Sequence, residues 1–230
     1  MTTNLDKLTI VMLGASGAVG IETMQTLLKM PEVERLTLLG RTPISGITAN
    51  SVHQHKIDIF NAHSYADLLE GHDTAICTLG VGEPSKMGKE EFIKIDKTAV
   101  LDFAKACKKA GVAHFQLLAS VGIDAKSASL YLRTKGELVE ELTVLNFEQL
   151  SIFQPAMILT PTNRYGFTQA VALFITPFLN PLFFGSWRKY RGIPVKVLGK
   201  AIALNALNKN TGVERLEWAD FYRLTKNHIV

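Results

Sequence analysis

An apolar run, Leu8-Thr9-Ile10-Val11-Met12-Leu13, stops at Gly14, and Gly17 and Gly20 follow at three-residue steps. A helical pattern begins at once, with Val19, Ile21, Met24, Leu27, Leu28 and Met30 apolar and Pro31 as the stop. A near-continuous apolar strand is one covered on both faces, as in a parallel sheet flanked by helices. A strand that turns through glycines into a helix points free N–H groups and the positive end of the helix dipole at one spot, which suits a phosphate. The glycines have mechanical jobs in such a turn: a tight bend, close backbone approach to a pyrophosphate, and close packing of helix on strand. The spacing is Gly-x-x-Gly-x-x-Gly rather than the commoner Gly-x-Gly-x-x-Gly, so its place after the first strand carries the assignment against an ordinary turn. Gly14, Ala15, Ser16, Gly17, Ala18 and Val19 are the candidate cradle.

The next segments repeat the pattern. Val33 to Leu39 reads as a second strand ending in Gly40-Arg41-Thr42. Dinucleotide folds place an acid near the end of this strand to hold the adenosine ribose. Here Arg41 stands there, and a guanidinium suits a 2′-phosphate through charge and fork geometry. NADP(H) is therefore expected over NAD(H), against the plainer reading of a solvent-facing arginine. Ile57 to Phe60 reads as a third strand ending near Asp58, which either contacts adenine or caps a helix carrying Tyr65, Leu68 and Leu69. Thr74 to Gly80 is a fourth strand, and its loop, with Leu79, Gly80 and Val81, lets backbone approach the cofactor. A long helix is expected from about Lys89 to Ala110, with Gly111 beyond its end.

The fifth strand, His114 to Ala119, delivers Ser120 at its carboxyl end, where open α/β sheets bind ligands. Tyr131 and Lys135 open the following helix, and i, i+4 residues share one helical face. This set suits reversible hydride transfer. A tyrosine phenol donates a proton to a carbonyl as hydride arrives, and a phenol with an ordinary pKa near 10 needs a nearby cation for that. Lys135 supplies the cation and holds the nicotinamide ribose, while Ser120 hydrogen-bonds the developing oxyanion. Tyr222 and Lys226 repeat the spacing, but they follow no strand ending in serine and read as surface.

Gly14-Gly17-Gly20, Arg41, Ser120 and Tyr131/Lys135 together resemble an atypical short-chain dehydrogenase/reductase, in the branch of NmrA-like and Tat-interacting-protein-like oxidoreductases. Leu39-Gly40-Arg41, Gly71-His72-Asp73, the segment from His114 to Ser120, Leu130-Tyr131-Leu132 and Lys135-Gly136-Glu137 carry the likeness, which spans about residues 8–160. It implies a Rossmann-type fold, NADPH binding and a dimer through exposed helices, and it adds Pro155 to the cofactor site. Two departures bear on turnover. Gln154-Pro155-Ala156 stands where many relatives carry Arg-Pro-Gly, and no equivalent of the asparagine that completes the catalytic tetrad is evident.

A doubly wound parallel α/β sheet is thus expected over residues 1–155, with residues 156–230 forming a small helical substrate cap on the same domain. From Tyr165 to Trp187 no charged residue occurs, but Pro177, Asn180 and Pro181 break the run. Short helices over a pocket or at a subunit interface fit it better than a bilayer span, and Trp187-Arg188-Lys189-Tyr190-Arg191 beside it leaves a peripheral membrane contact as the alternative. Ile193 to Val197 reads as an edge segment, Lys200 to Leu207 as a helix, and the stretch around Trp218 and Phe221 as a docked helix.

A hydrophobic content of 47% and a net charge of +4 describe an ordinary globular chain without a nucleic-acid arm. Cys77 and Cys107 are isolated, apolar in context and without metal-type spacing, and with no signal peptide they point to the reducing cytoplasm. No paired-ligand motif suggests a metal, and no Gly-x-Ser-x-Gly suggests a serine hydrolase. The reading is an NADP(H)-dependent oxidoreductase acting on a carbonyl or hydroxyl of a small molecule, with Arg164 a candidate substrate contact. The alternatives are a non-catalytic NADP(H) sensor or scaffold, and the same reductase at a membrane surface.

Overall fold

The computed structural model describes residues 7–81, 87–161 and 184–226. Strands β1 (Leu8–Leu13), β2 (Val33–Gly40), β3 (Val52–Lys56), β4 (Thr74–Cys77), β5 (His114–Leu118), β6 (Gln149–Phe153) and β9 (Gly212–Leu216) form one sheet in the order β3-β2-β1-β4-β5-β6-β9. Every neighbouring pair is parallel. Short strands β7 (Ile158–Leu159) and β8 (Ile193–Pro194) pair apart from it. The order reverses between β1 and β4, so the crevice at the carboxyl ends of these strands is the switch point where such sheets bind ligands.

Alternation along β1 divides the core. Val11 and Leu13 point into one layer with Phe103, Phe115 and Leu138, under α2 (Lys89–Ile93), α3 (Val100–Lys109) and α4 (Leu130–Val144). Ile10 and Met12 point into the other with Leu27, Ile202 and Phe221, under α1 (Ala18–Leu27), α5 (Val195–Asn205) and α6 (Trp218–Lys226). Each large side chain buried in these layers contributes about 1.5–3 kcal/mol relative to exposure. Cys77 and Cys107 are both buried free thiols.

Several sequence expectations change. The third strand is Val52–Lys56 rather than Ile57 to Phe60, because an edge strand carries the polar pattern Val-His-Gln-His-Lys, which hides it from a search for apolar runs. In place of the expected helix after it stand two short 3-10 turns, Ala62–Ser64 and Ala66–Leu68, with Tyr65 between them and Leu69 at the end of the second, and Asn61, not Asp58, caps the first by accepting from the His63 N–H. Asp58 instead closes its own turn onto the Phe60 N–H at 2.9 Å. The long helix is interrupted by a π turn at Lys94–Ala99. Residues past 155 supply β9, which extends the sheet, and α5, which starts at Val195 and packs on α1 with Gly199 against Glu22. Arg164, Gly82 and the uncharged run up to Phe183 lie outside the described residues.

Candidate nucleotide site and catalytic cluster

The turn after β1 is built by contacts that only glycine permits. Gly14 has φ +94°, and a Cβ there would lie 2.6 Å from the Leu79 nitrogen. The Thr78 hydroxyl donates to the Gly14 carbonyl at 3.0 Å, so the loops after β1 and β4 are one unit. A Cβ on Gly20 would collide with that same carbonyl oxygen and lie 2.9 Å from Ala15 Cα, which sets α1 directly against the turn. Gly17 is exposed and caps α1 without any side-chain bond, and the first turn of α1 carries no acid. Its leading N–H groups are left for an anion. Ser16 is exposed and Ala18 half-buried, while Ala15 and Val19 turn their side chains into the core and offer only backbone. These residues fit a pyrophosphate.

Beside them Arg41 is exposed at the end of β2. A shallow cleft there is lined by Ser16, Gly40, Thr42, Gln54 and His55. Asp58 is exposed in the loop after β3.

The second half of the site gathers at the ends of β4, β5 and β6. Ser120 follows β5 and is half-buried, and the next residue, Val121, donates its N–H to the Pro155 carbonyl at 3.0 Å. Pro155, itself buried after β6, is thereby tied to the serine loop. Tyr131 lies in the first turn of α4, its ring centroid 6.0 Å from that of Phe92. The Lys135 ammonium sits 5.8 Å from the Tyr131 ring centroid. A Cβ on Gly80 would lie 3.2 Å from Asp96 Oδ1 and 3.7 Å from that ammonium, so the loop after β4 runs directly beside both groups. Tyr222 and Lys226, the matching spacing, are on α6, where Tyr222 packs on Trp218 at 4.6 Å in the opposite helical layer.

Sequence reasoning missed Asp96. Its carboxylate is buried, pairs with the Lys135 ammonium at 2.7 Å and accepts the Val81 N–H at 2.7 Å. Burial pulls the Lys135 ammonium down, but the Asp96 carboxylate, by charge and by hydrogen bond, more than offsets this and holds it above its ordinary value. A signal was present: Phe92, Asp96, Val100 and Phe103 share one helical stripe, and a carboxylate in an apolar stripe calls for a partner. The π turn, a feature frequent at functional sites, spans this residue.

A cleft of about 530 Å³ opens at the opposite, amino ends of the strands, lined by Leu8, Thr74, His114, Gln149 and Asn208 among others. It holds none of the nucleotide-binding features, and we place the site at the carboxyl ends.

The family model described as NAD(P)H-binding matches residues 14–144. Protein HTATIP2 of Rattus norvegicus is 32% identical over 217 residues, covering 90% of this chain and 85% of that protein. Protein FMP52, mitochondrial, of Meyerozyma guilliermondii is 30% identical over 154 residues, covering 65% of this chain and 64% of its own length. Among solved structures, MoeE5 in complex with UDP-glucose and NAD aligns with TM-score 0.65 at 16% identity, covering 91% of this chain and 76% of that one. The ADP-L-glycero-D-manno-heptose-6-epimerase of Helicobacter pylori aligns with TM-score 0.68 at 13% identity, covering 99% and 84%. At these identities the structural likeness shows the fold. No helix among the described residues is long and apolar enough to cross a membrane, and the mitochondrial names of fungal relatives leave the expected cytoplasmic location without support. By family model over more than half of its length, the chain belongs to the NAD(P)H-binding family, on a Rossmann-type fold, and it is a relative of HTATIP2 along most of its length and of FMP52 along about two thirds.

Proposed function

We propose that this protein is an NADP(H)-dependent oxidoreductase of the short-chain dehydrogenase/reductase type, acting on a carbonyl or hydroxyl of a small molecule. The observation that carries the reading is that Tyr131 lies beside the Lys135 ammonium, which itself sits next to Gly80 in the loop after β4, at the same end of the sheet as the glycine turn. The nicotinamide cofactor supplies the hydride when bound. Gly14 and Gly17 let backbone approach its phosphates, and Arg41 meets the 2′-phosphate that distinguishes NADPH. Tyr131 gives the proton from its phenol oxygen to the substrate oxygen, and Ser120 holds that oxygen by a hydrogen bond. Lys135 orients the ribose side of the pocket.

The test is a titration with NADPH and NADH, followed by a screen of carbonyl compounds with wild type and Tyr131→Phe. The expected result is retained NADPH affinity and a loss of about 10²–10⁴-fold in kcat for the variant. Equal turnover by both proteins overturns the mechanism. Tight NADPH binding with no turnover of any carbonyl favours instead the non-catalytic sensor.

A further inference from the structure

The Asp96–Lys135 pair changes what the lysine can do. An isolated ammonium beside a phenol favours the phenolate through its full charge. An ammonium 2.7 Å from a buried carboxylate is half of a neutral pair, whose field falls off faster than that of a single charge. The side chains of Lys135 and Asp96 are only 6% and 1% exposed, so water does not screen the two charges from each other. The other ionisable groups around the ammonium are Tyr131 on its own helix and Cys77 on β4, whose thiol burial pushes up to about 12, so it stays neutral. Lys97 lies further along the same helical contact, on the part-exposed face, and is neutralised by Glu137 and Glu141 at 2.8 and 2.9 Å. Among the described residues Lys135 is the cation paired with Asp96, so the charge of Asp96 is balanced by Lys135 itself.

We propose that Asp96 is a positioning residue that neutralises Lys135, withholds from Tyr131 most of the positive field an unpaired ammonium would supply, and fastens that ammonium to the Gly80–Val81 loop. The loop contact is the Val81 N–H, given to the other oxygen of the same carboxylate. One side chain therefore sets both the position of the lysine and the charge that the phenol senses. The consequence for turnover rests on the function proposed above. The electrostatic claim does not, since it concerns Tyr131 in the ligand-free chain.

The experiment is a pH titration of ligand-free protein labelled with ¹³Cζ-tyrosine, the Tyr131 signal being assigned by its loss in Tyr131→Phe. Asp96→Asn keeps the shape and an acceptor for the Val81 N–H but removes the charge. The Tyr131 phenol should then ionise about one pH unit lower than in wild type. A fall smaller than about half a unit, with the Lys135 Nζ signal still that of an ammonium, overturns the proposal. If Asp96→Asn does not fold, or if burial leaves its unpaired Lys135 deprotonated where the phenol titrates, the double variant Asp96→Asn/Lys135→Gln decides, since it replaces a neutral pair by a neutral pair. It should titrate within about half a unit of wild type, and a rise beyond that overturns the proposal, since it would mean that Lys135 already acts on the phenol with its charge unquenched. In an active protein, the pH–rate profile of Asp96→Asn moves down with the phenol, a shift that a merely structural role would not produce. Equal turnover by wild type and Tyr131→Phe would remove the functional reading and leave the titration result standing.

Discussion

The Ser151 hydroxyl donates to the Glu214 carboxylate at 2.6 Å, across the join between β6 and the edge strand β9. Because Ser151 spends its one proton there, the 2.7 Å contact with His114 requires His114 Nε2 to be the donor, which fixes the tautomer. Asn205 Nδ2, from the end of α5, donates to both Ser151 and Glu214 at 3.0 and 3.1 Å. A buried network therefore binds β5, β6, β9 and α5 at the end of the sheet away from the nucleotide turn.

Burial pushes His114 down from 6.5 to about 4, Glu214 opposing this only in part. A group with a lowered folded pKa is protonated first in the unfolded chain. The stability it contributes is present above about pH 6.5 and drains as pH falls from there to about 4, by at most about 3 kcal/mol. Urea unfolding between pH 7.5 and 4.5 should show this slope, and His114→Gln should flatten it. Identical slopes would rule the histidine out as its source.

Glu214 is the acceptor on which the network converges. Burial pulls its carboxyl up, but hydrogen bonds from Ser151, Asn205, Gln149 and Asn210 outweigh that and hold it below its ordinary value. Glu214→Ala strands those donors and should cost about 1–3 kcal/mol at pH 7, read as a lower urea midpoint. The difference from wild type should shrink as the pH falls through the carboxylate range, because the charged form is the one that is stabilised.

Gly20→Ala forces a methyl group into the Gly14 carbonyl. The expected outcome is overpacking of about 1–3 kcal/mol and loss of most NADPH-dependent stabilisation, measured by thermal shift with and without cofactor. Gly17→Ala, whose added carbon would meet only the Gly14 carbonyl at 3.3 Å, should leave the cofactor-free Tm nearly unchanged and weaken NADPH binding.

Arg41→Asp should lower the NADPH/NADH affinity ratio about tenfold or more, because a lost charge-assisted contact to phosphate is worth about 1.5–3 kcal/mol. Paired fluorescence titrations measure it. An unchanged ratio would return Arg41 to the role of a solvent-facing side chain.

The parts legible in the sequence are those written in local pattern. The run from Leu8 to Leu13 had to be a buried strand, and the glycines after it had to turn, whatever else the chain did. Tyr131 and Lys135 were legible as a pair because i, i+4 spacing fixes a shared face. The strands β3 and β9 were not, since each is an edge strand with one polar flank and little apolar signal.

Amino-acid order alone determined the β1–turn–α1 unit, the serine at the end of β5 and the buried character of both cysteines, because each depends on neighbours within a few residues. Only the tertiary structure decided that Asp96 meets Lys135, that Glu214 closes onto Ser151, and that residues past 195 complete the sheet rather than only cover it. Those contacts join side chains dozens of positions apart. A charge buried in one element is tolerable only when packing supplies its partner from another, and that choice belongs to the assembled layers rather than to any one segment.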